Sequence, residues 1–415
     1  MVDTSFSLTI LHYVYLIGVI AILLTMVFKK DTVLPSLFFI AILGFFATGS
    51  ITGGITTIFN AVVYSGIQLM DIITTIALVT ALSKCLGDLG SDYLMMAPAV
   101  KIMKTPQIAF WVVGIVTLIF ALFFWPSPAV ALVGAILVPA AIKCGLSALG
   151  TAVAMNIFAH GVALSSDYVI QGTSAVTSSA NSATPEEIMI QGTPLFLTMA
   201  VVTSVVSFFM CRGEMRSVRS ERESVLEKRK ITKQAKIMAV LTPITFAVVI
   251  FAMFHLDLKG GDATSLMGGT AVILMCIGAI ISSPKDSFNN IRKYTSEGFF
   301  FGMKIFAPII VIAAFFYLGS DGISQIIPDY SETQGFMNEW ALWLSNTVTL
   351  SEYPVAFIVM LIGGVTGLDG SGFSALPLIG ALAGTFAEAI NVSVPVLSAL
   401  GQITAVWVGG GVIVP

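Results

Sequence analysis

Gly367-Leu368-Asp369-Gly370-Ser371-Gly372 sets an acid, a serine and three glycines inside an apolar run that extends from Ala356 to Gly384. On either side the chain reads as helix, residues 356–365 before it and 373–383 after it. A continuous apolar helix is expected to break here. Non-helical backbone at membrane depth is tolerated only where protein buries it or where it lines a cavity, so the break is a site candidate. The competing reading is an ordinary turn outside the membrane, because Gly, Asp and Ser are also the commonest turn formers.

Composition decides that a membrane is involved. The 415 residues are 56% hydrophobic and 10% charged, and the mean hydropathy is +0.95; a soluble domain carries about 25% charged residues. A soluble globular domain is excluded, and the net charge of −3 without any basic stripe speaks against nucleic acid. Cys85, Cys144, Cys211 and Cys276 lie far apart in or beside apolar segments, without CxxC spacing, and read as small core residues. The histidines, His12, His160 and His255, are too scattered for a zinc site, and no cofactor is expected beyond a sodium ion. Residues 8–28 are too long for a signal-peptide core and read as a retained transmembrane helix.

A run of about 20 apolar residues crosses the hydrocarbon core as a helix. On that measure the first set of segments is 8–28, 34–51, 70–86, 110–124, 129–142, 148–164 and 195–211, and the second is 237–254, 265–281, 299–318, 355–367, 373–390 and 394–414. The expected fold is an all-α polytopic membrane protein with about 11–14 membrane segments, the range reflecting re-entrant hairpins that replace pairs of crossings. Residues 54–69 and 284–298 are more polar than their neighbours and read as interfacial amphipathic helices or loops. Residues 336–350, with Trp340 and Trp343, suit an aromatic belt.

Between the sets lies 212–236, the one strongly charged stretch, with Arg212, Arg216, Arg219, Arg222, Lys228, Arg229, Lys230, Lys233 and Lys236. The positive-inside rule makes this linker cytoplasmic and gives a single threading with the amino terminus outside. Lys259 is the exception, falling in an outside loop. The loops 165–192 and 319–354 hold acids but no Lys or Arg and are expected outside.

The two halves look alike. Residues 127–137 lie on 373–383 without gaps, and the same register sets Gly145-Leu146-Ser147 on Asn391-Val392-Ser393. An odd number of crossings separates the equivalents, so the repeats are inverted. The expected domains are a first repeat over 1–211, the linker 212–236 and a second repeat over 237–415. By symmetry a closing helix matching 195–211 is expected beyond the last residue. Inverted repeats with interruptions at corresponding places point to a secondary transporter with its site near the midplane; here the interruptions are 125–128 and 367–372.

Candidate site residues follow from the breaks and from the helix ends after them. For substrate they are Ser127, Pro128, Asn156, Gly370, Ser371, Gly372, Gln402 and Thr404. For the coupling ion they are Asp369, Ser371, Ser165, Ser166, Asp167 and His160, with Asp369 as a sodium ligand. A half-helix beginning after a break aims N–H groups and a positive dipole end at an anion, while unwound carbonyls, Asp369 and Ser371 offer hard oxygen ligands to sodium. Each has a plainer reading: Asn156 and Gln402 as interhelical hydrogen bonders, His160 as a buried neutral ring, and the Ser/Thr-rich run 173–182 as an extracellular loop.

The paired polar hairpins and the tip Gly367 to Gly372 resemble the ion-transporter superfamily of secondary carriers, which holds citrate, dicarboxylate and gluconate carriers and the membrane subunits of binder-dependent carboxylate transporters. The resemblance implies cation-coupled transport of a small organic anion by a homodimer. The paired Ser-Asn-Thr motifs of its dicarboxylate/sodium branch are missing: Trp125-Pro126-Ser127-Pro128 and Asp369-Gly370-Ser371 stand in their places. The expectation is a non-enzymatic, sodium- or proton-coupled carboxylate carrier of the bacterial inner membrane. The alternatives are a sodium/proton antiporter exchanging at Asp369 and, remotely, an intramembrane serine hydrolase using Ser371 and His160.

Overall fold

The computed structural model describes residues 8–28, 30–213, 215, 231–256, 258, 261–320, 322–328, 330, 333, 335–347, 351–368, 372–373 and 376–412. Among them the chain forms helices and turns, with no strand. In order these are α1 (Ile10–Val27), α2 (Val33–Thr48), α3 (Ile51–Leu89), α4 (Ser91–Ile102), α5 (Pro106–Phe124), α6 (Pro126–Lys143) and α7 (Ala148–Asn156). A π-helical turn, Ile157–Ala163, continues α7 into α8 (Leu164–Ser166), followed by α9 (Gly172–Ser178) and α10 (Pro185–Arg212). After the linker come α11 (Lys233–His255), α12 (Gly261–Ser282), α13 (Ser287–Tyr317), α14 (Ile323–Ile326), α15 (Phe336–Thr347), α16 (Glu352–Gly367), α17 (Leu376–Ile390) and α18 (Val394–Trp407). A second π-helical turn, Val408–Val412, continues α18.

Nine spans among the described residues are long and apolar enough to cross a membrane by length and composition, and four shorter helices, from Val33, Glu352, Leu376 and Val394, are also apolar. Each expected segment falls on one of them. The polar stretches ahead of two segments are not separate elements: α3 runs unbroken for 39 residues and α13 for 31. No proline or left-handed residue interrupts either junction, so the i→i−4 ladder carries straight through. The loops expected at 165–192 and 319–354 are also largely helical, holding α8, α9, α14 and α15.

The chain divides into two compact units, each drawing on both halves of the sequence. The first holds residues 1–70, 172–195 and 305–415. Its aromatic core sets Tyr15 stacked on Phe315 at 4.9 Å, with Phe336 against both Tyr15 and His12. Here α1 packs on α2, α15 and α16, and α17 packs on α15, α16 and α18. A side chain at Gly363 would meet the carbonyl of Gly401, and one at Gly401 would meet Ile379 and Val359; small residues let membrane helices approach this closely.

The second unit holds residues 71–171 and 196–304. Here α11 packs on α12 and α4, α4 packs on α5 and α6, and α5 packs on α6 and α7. Phe110 meets Phe208, and Phe123 and Phe124 meet Phe246. A side chain at Gly298 of α13 would run into the carbonyl of Ala77 on α3, so those two helices touch backbone to backbone.

In each unit a leading helix pair joins a four-helix series: α1–α2 with α15–α18 in one, α11–α12 with α4–α7 in the other. Some local details recur. Gly145 and Asn391 are left-handed at φ 90° and 55°, and the next-but-one residues, Ser147 and Ser393, are N-caps accepting from Gly150 N–H and Val396 N–H. A π-turn then closes each series.

Candidate functional site

In the second unit the break is a single residue. Trp125, at φ 67° and ψ 147°, joins α5 to α6, and its ring is buried. Pro126 occupies the first helical position of α6 and Ser127 and Pro128 follow. Proline suits that place because its missing N–H would be unpaired anyway. The expected fan of N–H donors is thereby reduced: Pro126 and Pro128 have none, and Ala129 N–H already donates to Trp125 O at 3.0 Å. What remains toward an anion is the N–H and hydroxyl of Ser127.

Both α5 and α6 pack on the π-turn Ile157–Ala163, which directly follows Asn156, the last residue of α7, and carries His160. His160 Nε2 lies 3.5 Å from Ser127 Oγ, so two of the expected residues come together. Its Nδ1 is buried without a protein partner among the described residues. π-Turns are rare and are found frequently at functional sites.

Beyond the π-turn the chain unwinds inside protein. Ser165, Ser166, Asp167 and Gln171 are all buried, Asp167 at 3% exposure, and Asp167 and Gln171 are left-handed at φ 38° and 62°. Asp167 N–H donates to Ala163 O and Gln171 N–H to Asp167 O, while Ser166 Oγ donates to Val162 O at 2.8 Å. Gln171 Oε1 has no protein partner among the described residues. A buried acceptor left unmatched calls for an explanation, and an unwound acidic turn at membrane depth suits a cation.

In the first unit the corresponding hairpin is α16 and α17. Asp369, Gly370 and Ser371 lie outside the described residues. The flanking Thr366, Gly367, Gly372 and Phe373 are buried. Gly372 has φ +63°, and a side chain on it would meet Val406 and the Ala405 carbonyl; one on Gly409 would strike the Gly372 backbone. Gly367 and Gly372, on either side of the undescribed residues, thus lie close against residues 405–409 at the end of α18 and the start of the second π-turn. Trp407, just before that turn, is 5% exposed and its Nε1–H has no protein partner among the described residues.

Gln402 and Thr404 have other engagements. Gln402 is fully buried; its Oε1 accepts from Thr177 Oγ1 at 2.9 Å and its Nε2 donates to Ser174 Oγ at 3.3 Å. Thr404 Oγ1 donates to the carbonyls of Leu400 and Gly401 on its own helix. The run 173–182, expected as an extracellular loop, is in fact docked on α17 and α18. Asn181 Nδ2 donates to Gly380 O and Ser398 Oγ, and Tyr317 Oη donates to Ser179 Oγ at 2.7 Å.

Sequence reasoning did not single out Trp407 as a site residue; Trp125 entered it only as part of the break 125–128, and Gln171 only as the start of the polar run after Asp167. The Trp-Pro step and the Trp-Val-Gly-Gly-Gly run were the available signals, a bulky ring set against residues that bend or bare the backbone.

Helices of this length and composition, with buried breaks and unmatched polar atoms beside two π-turns, define a multi-pass all-α membrane protein with interior polar sites. No protein-family model matches the chain. It is 36% identical, over 97% of its length and 89% of the other, to the "Uncharacterized membrane protein YhfA" of Bacillus subtilis (strain 168). The chain belongs to the family of that membrane protein.

Proposed function

We propose that this protein is a secondary active transporter of a small organic anion, a carboxylate, driven by sodium or protons through alternating access. The observation that carries the reading is that α5 and α6, which meet at Trp125, pack on one π-turn, and that α16, in the other unit, packs on the second. We read the two halves as inverted repeats, the arrangement in which secondary transporters form midplane sites from discontinuous helices. The polar groups are of the right kind. Ser127 and His160 supply donors for a carboxylate in one unit, where the Asp167 turn with Gln171 supplies oxygens for a cation, and in the other unit Trp407 supplies a donor of its own. The homodimer, the inner-membrane location, the cytoplasmic linker and the amino terminus outside belong to the same reading, as does kinship with the ion-transporter superfamily.

The test is uptake of labelled mono-, di- and tricarboxylates into proteoliposomes under an imposed sodium or proton gradient. Uptake that needs one gradient and falls at least about tenfold, or 1.4 kcal/mol, in Asp167→Asn and Asp369→Asn is the expected result. Continuous ion conductance without gradient-dependent uptake would make the protein a channel. The buried Asp167 carboxylate favours one second reading, a sodium/proton antiporter, which sodium-induced proton release without any organic flux would select.

A further inference from the structure

Cations of the second unit gather where several of its helices begin and end. Lys101 lies in the last turn of α4, Lys143 in that of α6 and Arg212 in that of α10, while Lys104 stands in the short link between α4 and α5. All four are exposed. Two contacts bring the segment ends together. Cys144 Sγ, next to Lys143, donates to the carbonyl of Met103, next to Lys104, at 3.2 Å. A side chain on Gly150, at the start of α7, would lie 3.7 Å from Cys211 Cβ, next to Arg212.

No acid offsets these charges locally. Residues 93–166 contain no Asp or Glu, and neither do residues 188–213; Glu214 lies outside the described residues. Among the described residues none of the four cations forms an ion pair. A cation in a last turn suits the dipole of its own helix, which accounts for Lys101, Lys143 and Arg212 without any ligand. Lys104 has no such account. It directly precedes Thr105, the N-cap of α5, where the helix dipole disfavours positive charge. An anion from outside the chain would offset that repulsion.

Apolar side chains border the cations. Ile102 lies between Lys101 and Lys104, Ile142 precedes Lys143 and Leu149 opens α7, and all three are exposed. The apolar spans Pro106–Phe124, Pro126–Lys143, Ala148–Ser166 and Pro185–Arg212 each have an end here, so the patch stands at the boundary between hydrocarbon and water.

We infer that this patch is a binding surface for an anionic phospholipid, its phosphate held by Lys104 with Lys101 and Lys143, and its acyl chains lying along Ile142 and Leu149. Clustered cations beside the ends of membrane helices are complementary to an anionic headgroup. The exposed apolar border selects a lipid over free phosphate, which would gain nothing from it. The inference rests on the membrane-spanning fold and not on the transport reading.

The test uses full-length protein stripped of lipid in detergent, then given dioleoyl phosphatidylglycerol or dioleoyl phosphatidylcholine at equal mole fraction. Native mass spectrometry counts the lipids retained, and thermal unfolding reads their effect on stability. Phosphatidylglycerol should be retained at least about tenfold better, since each cation near a charged surface is worth roughly a factor of five, and should raise the unfolding midpoint more. The preference should vanish in Lys101→Gln/Lys104→Gln/Lys143→Gln and persist in Lys285→Gln/Arg292→Gln/Lys293→Gln, which removes the same charge elsewhere in the unit. Should the first of these fail to fold, Lys104→Gln alone is expected to weaken the preference about fivefold, and no change in it would overturn the inference. Absence of any preference in the native protein overturns it too, as does equal loss in both triple variants, which would mean diffuse surface charge. Inorganic phosphate that displaces phosphatidylglycerol at equal concentration also overturns it, because the site would then be one for free phosphate.

Discussion

Gln402 shows how a polar residue inside a membrane bundle divides its roles. Its amide joins α18 to α9 through Thr177 and Ser174, and such interhelical bonds contribute on average about 0.6 kcal/mol and at most about 1.7 kcal/mol. Thr177 keeps a fallback, because its hydroxyl also donates to Thr173 O at 3.0 Å. Gln402→Leu is therefore expected to cost about 1–2 kcal/mol, read by unfolding of the purified protein in mixed micelles. The double variant with Thr177→Val should show a coupling of about 0.5–1.5 kcal/mol. Unchanged stability combined with lost uptake would instead move Gln402 into the ligand site. At this scale the sequence was a partial guide. Ser127 and His160 were named and do meet; Gln402 and Asn156 share a register position, yet Gln402 is engaged in holding α9. Which way an amide points depends on the neighbouring segment, and a register comparison is blind to it.

Elements were legible wherever their signal is local. Apolar length marks a membrane helix, and every expected segment falls on an apolar helix, nine of them among the described residues long enough to cross a membrane. The polar run 173–182 misled because its hydroxyls suggest water, but inside a bundle they are satisfied by their own helix. Thr177 donates to Thr173 O, Ser178 to Ala175 O and Ser179 to Val176 O, so the segment arrives on α17 with little left to solvate. The π-turns were illegible because one extra residue per turn leaves no mark on composition. Docking of α9 also requires α17 to have no side chain at Gly380, where a Cβ would run into the Thr177 carbonyl. Gly380→Val should destabilise the protein by about 1–3 kcal/mol through overpacking. Gly269→Ala in α12, with no atom within 4 Å of the added carbon, should be neutral or stabilise by up to about 1 kcal/mol. Thermal unfolding of the pair separates close approach from helix propensity; equal effects would sink the docking argument.

For the whole molecule, the register of the two halves does not show how the helices are shared out between the compact units. Each compact unit takes a leading helix pair from one half and a four-helix series from the other. Alignment alone could not reveal this, since a repeat that folds on itself and one that exchanges its leading helices have the same sequence pattern. The exchange makes the halves interdependent. Without residues from 305 onward, α1 loses its packing on α15 and α16, and without the first half α11 loses α4. A chain cut within the charged linker, as residues 1–222 and 223–415, is therefore expected to reassemble when both pieces are made together, the tagged first piece retaining the second through purification. Either piece made alone should be degraded or aggregate, because its leading helices would have no partner series to cover their inward faces. Should one piece alone give a monodisperse, protease-resistant particle, each half would be folding on itself, and the exchange of helices between halves would have to be abandoned.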